Sequence, residues 1–208
     1  TCCKIMLPIA VLIVALAPAL GEDGAASDAV IETPPPEFLP FDVEDRLAPG
    51  VILELESRVH GADHASRSTD VRHARMINLS VGGPEAASPF LPAGEFQAVW
   101  RGYLYSDSGA TVRFIAEGSG ESEVQLNGRK VLTGADRQSR PVQVHAGFTP
   151  VRVSVRSSAE GDMRFKLLWS GKDFIPEPVL PTALFHDPLD PQLVERKKVR
   201  TGRELFAT

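Results

Sequence analysis

From residue 50 onward, apolar and polar side chains alternate in short runs, and the period is two rather than the 3.6 of a helix. Val51, Leu53 and Leu55 alternate with Ile52, Glu54 and Glu56. Runs of the same kind cover residues 76–81, 96–105, 111–116, 123–126, 130–132, 141–145, 151–156 and 163–169. They are bounded by Gly, Pro, Asn, Asp and Ser, the residues that punctuate strands. In 151–156, Val151, Val153 and Val155 lie on one side while Arg152, Ser154 and Arg156 lie on the other, so this strand is predicted to cover a core on one face only. Phe165, Leu167 and Trp169 repeat the pattern. Asn127-Gly128, between two such runs, suits a tight hairpin turn, and Asp107-Ser108-Gly109 marks a second turn. No run carries a sustained helical period. The spacing predicts an all-β, antiparallel sandwich.

The chain before residue 47 reads differently. Lys4 precedes the apolar run 5–20, and Glu22 and Asp23 follow it, the order of a secretory signal peptide over 1–21. Pro8 and Pro18 interrupt the run, which favours a cleaved signal over a membrane anchor. Residues 22–46 are rich in Ala, Asp, Glu and Pro, and Pro34-Pro35-Pro36 predicts an extended linker. The sandwich is expected over 47–190. Residues 191–208 are expected to open a further domain.

Cys2 and Cys3 both lie in the signal segment, so 22–208 can form neither a disulfide nor a thiolate metal site. Without residues 1–21 the chain keeps 21 basic and 27 acidic side chains, a balance of −6 that argues against nucleic acid as a partner. A membrane partner is expected only if the signal segment stays uncleaved.

The runs occur in a recognisable order: Phe96-Gln97-Ala98-Val99-Trp100-Arg101-Gly102-Tyr103, then Ser108-Gly109 leading to Phe114, then Asn127-Gly128, then Leu167 and Trp169. This order resembles the protective antigen fourteen-kilodalton (PA) domain family over residues 50–186. The resemblance implies a β-sandwich serving as a carbohydrate-binding or adhesion module in exported bacterial proteins. Calcium-dependent lectins of the family carry adjacent aspartates before the strand that corresponds to 124–126. Here Glu117-Gly118-Ser119-Gly120-Glu121 stands in that place, so the metal–sugar site does not carry over. Gly202, Leu205 and Phe206 resemble the opening helix of a c-type cytochrome domain. The alternative function is therefore a structural spacer that positions such a domain for electron transfer. Haem would belong to a downstream region. No cofactor is expected in this segment, and calcium stays open.

Glu117, Glu121, Glu123 and Asp136 are the candidate ligand-binding residues, because clustered carboxylates can hold a hard cation or accept from hydroxyls. A solvated acidic rim is the competing reading. His60, Asp63, His64, Asp70 and His73 have the composition of a zinc site. The intervening Gly61, Ser66, Ser68 and Thr69 instead favour a polar loop, and no catalytic residue is assigned. Trp100, Tyr103 and Tyr105 can stack on sugar rings, but Trp100 and Trp169 are expected in the core. Ser106, Asp107 and Ser108 lack a nearby histidine, so nucleophilic hydrolysis has no support. The chain is expected to be no enzyme.

Overall fold

The computed structural model describes residues 29–35, 39–59, 66–134 and 137–195. Its strands are β1 (Ile31–Glu32), β2 (Ala48–Pro49), β3 (Val51–Val59), β4 (Ser66–Ala74), β5 (Asn78–Val81), β6 (Phe96–Ser106) and β7 (Ala110–Gly118). They continue as β8 (Glu121–Leu126), β9 (Arg129–Gly134), β10 (Val142–Val144), β11 (Gly147–Arg156), β12 (Met163–Gly171), β13 (Glu177–Pro178) and β14 (Leu184–His186). A short helix, α1 (Phe41–Glu44), lies between β1 and β2.

The strands form two sheets packed face to face. The first runs β1-β10-β7-β12-β13, with β5 also on β12; the second runs β2-β14-β6-β11-β8-β9, with β3 on β6 and β4 on β3. Neighbours are antiparallel except β1 and β10, which are parallel. Period two explains the core directly. Val151, Val153 and Val155 of β11 and Phe96, Ala98, Trp100 and Leu104 of β6 project inward from the second sheet, and Val112, Phe114 and Ala116 of β7 meet them from the first. Asn127 (φ 46°) and Gly128 (φ 76°) make the β8–β9 turn that the sequence predicts.

Three segments depart from expectation. Residues 31–35, read as part of a linker, join the domain: Ile31 pairs with Val142 and is buried, and the Thr33 hydroxyl donates to the Gln143 carbonyl at 2.7 Å. Asn127 Nδ2 then donates to the Pro35 carbonyl at 2.9 Å, fixing Pro34 and Pro35 over the β8–β9 turn. Residues 66–74, read as a polar loop, are strand β4, paired with β3 from Val51↔Ala74 to Val59↔Ser66.

The third departure is the exit. Residues 191–195, expected to begin another domain, lie against the outer face of the second sheet, where Leu193 packs with Ile52 and Val71. Arg101 grips both Asp190 oxygens, with Nη2 to Oδ1 at 2.8 Å, and Arg46 Nη2 donates to Asp187 Oδ2 at 2.7 Å. These guanidinium bonds hold the Asp187 and Asp190 carboxyls below the usual carboxylate range. Their folded values are depressed, so their stabilisation is complete above the unfolded carboxylate value of about 4 and is lost as pH falls through the folded values. The urea midpoint is therefore expected to drop between pH 5 and pH 2.5. Asp190→Asn should cost about 1–2 kcal/mol at pH 7 and shrink that drop. An acid drop unchanged in the variant would contradict this assignment. The signal segment and the cytochrome-like tail lie outside the described residues.

Candidate functional site

The turn from β7 to β8 carries the chain from one sheet to the other in the two residues Ser119 and Gly120. Ser119 fixes it: its N–H donates to the Arg164 carbonyl at 2.7 Å, and its hydroxyl accepts from the Arg164 N–H at 3.0 Å. This crossing decides where the candidate carboxylates go. Glu117 is outside the first sheet, since Ala116 beside it faces the core. Glu121 and Glu123 are outside the second sheet, since Ser122 and Val124 face the core. The structure thus sends Glu117 and the other two to opposite outer faces. Asp136 lies outside the described residues. Glu123 is engaged locally, 2.6 Å from Lys130 Nζ and accepting from Gln125 Nε2. Lys130 first, and then Gln125, hold its carboxyl below the usual range.

The zinc-like set also disperses. Asp70 is fully buried and accepts from the Ser88 hydroxyl at 2.6 Å, whereas His73 is exposed and bonded to the Pro49 carbonyl. His60, Asp63 and His64 lie outside the described residues. Among the described residues, no group of three His, Cys, Asp or Glu side chains is arranged to hold a metal ion.

Glu117 instead joins a different constellation. Between β5, β12 and β7 the outer face of the first sheet opens into a cleft of about 500 Å³. Asn78 and Ser80 from β5, Glu117 from β7, and Arg164 and Lys166 from β12 surround it, above a floor formed around Gly118 and Phe165. The register builds it: Lys166 lies opposite Asn78 on one side and Glu117 on the other, while Arg164 lies opposite Ser80. These are neighbouring positions across strands about 4.8 Å apart. Lys166 Nζ is 3.8 Å from Glu117 Oε2, a solvent-exposed pair that contributes little to stability but holds both heads over the cleft.

The chemistry on offer is hydrogen bonding. Glu117 accepts, Arg164 and Lys166 donate, and Asn78 and Ser80 do both. Among the described residues, the cleft lining contains neither histidine nor cysteine. Sequence reasoning found Glu117 and missed the other four. Alternation already set Arg164 and Lys166 opposite Phe165 and Leu167. What it does not encode is the pairing of β5 with β12.

The aromatic candidates separate as well. Trp100 fills the core with no exposed area, and Trp169 packs edge-on to Phe174 at 5.6 Å. Tyr103 and Tyr105 face outward from β6 on the second sheet. Tyr105 lies 4.8 Å from Phe148, which is 5.2 Å from Phe185, and an Asp107 hydrogen bond raises its phenol pKa. This aromatic patch is on the opposite side of the sandwich from the cleft.

Neither a protein-family model nor a curated protein matches the sequence. Solved structures match the fold. An anti-sigma factor domain-containing protein from Clostridium clariflavum aligns with a TM-score of 0.54 at 13% identity, over 66% of this chain and 47% of that one. The chain therefore spans about half the length of that protein. A PA14 sugar-binding domain from an RTX adhesin aligns at 0.51 with 14% identity, over 66% of this chain and 98% of that domain. The Epithelial Adhesin 9 A domain (Epa9A) from Candida glabrata, in complex with Galb1-3GlcNAc, aligns at 0.51 with 11% identity, over 76% and 94%. At these identities the likeness establishes the architecture, a PA14-like antiparallel β-sandwich.

Proposed function

We propose that this PA14-like sandwich is a non-catalytic carbohydrate-binding or adhesion module of an exported protein, and that the cleft between β5, β7 and β12 is its saccharide site. The observation that carries the reading is the cleft itself, in which a carboxylate, an amide, a hydroxyl and two cations crowd one open sheet face. A sugar presents adjacent hydroxyls that each donate and accept. A carboxylate such as Glu117 accepts from two neighbouring hydroxyls at once, while Arg164 and Asn78 donate to ring and hydroxyl oxygens. The sugar-binding and adhesin domains that share the fold support the same reading.

Each solvent-exposed hydrogen bond contributes about 0.5–1.5 kcal/mol net, so one site binds weakly and adhesion depends on several engaging together. Against a panel of immobilised oligosaccharides the full chain is expected to retain at least one. Glu117→Ala and Arg164→Ala should each weaken that binding by about fivefold or more, because 1.4 kcal/mol corresponds to tenfold. Chelation with EDTA is expected to leave the affinity unchanged, since Glu117 faces away from Glu121 and Glu123. A blank panel, or full binding in both variants, would overturn the proposal.

A further inference from the structure

The first and last strands of the second sheet in chain order, β2 and β14, lie side by side, with Phe185 opposite Pro49 and His186 opposite Ala48. The Gly50 N–H extends the pairing to the Leu184 carbonyl at 2.7 Å. Two imidazoles meet at this seam. His186 is buried, with Nδ1 lacking a hydrogen-bond partner among the described residues. The ring of His73, from β4, lies 4.8 Å from it, tilted by 34°. His73 Nε2 is 2.9 Å from the Pro49 carbonyl, and a carbonyl only accepts, so that nitrogen carries the proton. One exposed ring thus bonds to β2 and packs against a buried ring of β14.

We propose that the buried His186 ring, packed against His73, is a proton-operated clasp, which joins β2 and β14 while His186 is neutral and loosens when it protonates. Neutral imidazoles pack at this distance without penalty. An imidazolium at the buried His186 position loses its hydration in a partly desolvated seam. Burial, and after it the neighbouring His73, lowers the His186 pKa.

The surrounding groups do not cancel this. The backbones of Ala48 and Gly50 and the Asp187 carboxylate favour a charged His186. Asp187 is already engaged by Arg46, just before β2, and Asp190 by Arg101 from β6. Tyr103 on β6 is neutral at these pH values, Glu54 on β3 acts on Arg101, and Arg72 and Arg75 flank His73 in sequence. A depressed histidine contributes full stability above its unfolded value of about 6.5, and that contribution is lost as pH falls from there through the folded value. Loosening β14 also frees the segment that follows it, so Ile52 and Val71 lose their cover from Leu193.

Hydrogen–deuterium exchange of the full chain at pH 7.5 and pH 5.0, corrected for intrinsic rates, tests the clasp. At pH 5.0, peptides spanning 48–51 and 184–193 are expected to lose protection about tenfold or more, while 151–156 keeps its own. The carboxylates of Asp187 and Asp190 stay ionised over this range, so they do not produce the change. His73→Gln keeps a hydrogen-bond donor to the Pro49 carbonyl but removes the neighbour that disfavours a charged His186, and should retain most of the protection at pH 5.0. His186→Phe fills the buried site without a proton and should do the same. Protection that does not change with pH overturns the clasp, as does a wild-type-sized loss in His73→Gln, a surface substitution that does not threaten folding.

Discussion

Trp100→Ala is expected to reduce the unfolding free energy by about 3–5 kcal/mol, the range for removing a buried aromatic from a close-packed core. Trp100 has no exposed area, and its strand is paired on both sides, with Leu53 of β3 on one side and Val153 of β11 on the other. Its indole reaches across the sandwich to within 5.6 Å of the Phe165 ring of the first sheet. Removing it opens a void where the two sheets meet, and strands held on both edges cannot collapse into that void. The indole Nε1 has no hydrogen-bond partner among the described residues, so it contributes bulk and not a polar anchor. Trp100→Phe should therefore cost distinctly less than Trp100→Ala, within about 1.5 kcal/mol, as volume-near swaps do. Urea unfolding of the three proteins settles the point. Equal costs for Phe and Ala would mean that the indole N–H matters and that the packing account is wrong.

Gly118→Ala is expected to cost about 3 kcal/mol or more, combining backbone strain with a forced shift of packed chain. Gly118 has a φ of 124°, which side chains rarely adopt, and a Cβ there would lie inside the van der Waals envelope of the Arg164 carbonyl oxygen. That carbonyl belongs to the β12 backbone and is bonded to the Ser119 N–H, so it cannot move without disturbing the crossing between the sheets. Gly128→Ala is the matched control. Its φ is also positive, 76°, but nothing lies within 4 Å of the added carbon, so only the strain of about 1–2 kcal/mol remains. If the two substitutions cost the same, the close approach at Gly118 contributes nothing. A stable Gly118→Ala protein should also show altered cleft geometry, because residue 118 forms part of the cleft floor.

Most of the sandwich is legible in the sequence because one-sided burial writes itself as period two. β6, β7, β8, β11 and β12 each show it, and their bounds fall within a few residues of the predicted runs. β4 does not show it. It lies beside β3 at the margin of the second sheet and carries Ser, Thr, Asp, Arg and His, and its inward-facing Asp70 is satisfied by Ser88 instead of by apolar contact. A polar residue with a buried partner looks like a loop residue until that partner is known. β1 and β14 were missed for another reason. At two and three residues they are too short for alternation to register, and long-range bonds such as Thr33 to Gln143 hold them.

The candidate site divides in the same way. That Glu117 points away from the core follows from Ala116 beside it. The separation of Glu117 from Glu121 and Glu123 depends on the chain changing sheets at Ser119 and Gly120, and short glycine-rich spacing alone does not announce such a change. Asn78, Ser80 and Arg164 join the site only through the β5–β12 pairing, which spans more than eighty positions of sequence.

The most direct test of the central claim is amide chemical-shift mapping of the full chain titrated with an oligosaccharide retained from the panel. Binding in the cleft predicts saturable shifts concentrated at 78–80, 117–119 and 164–166. Shifts gathered instead around Tyr105, Phe148 and Phe185 would place the sugar on the opposite sheet and contradict the assignment.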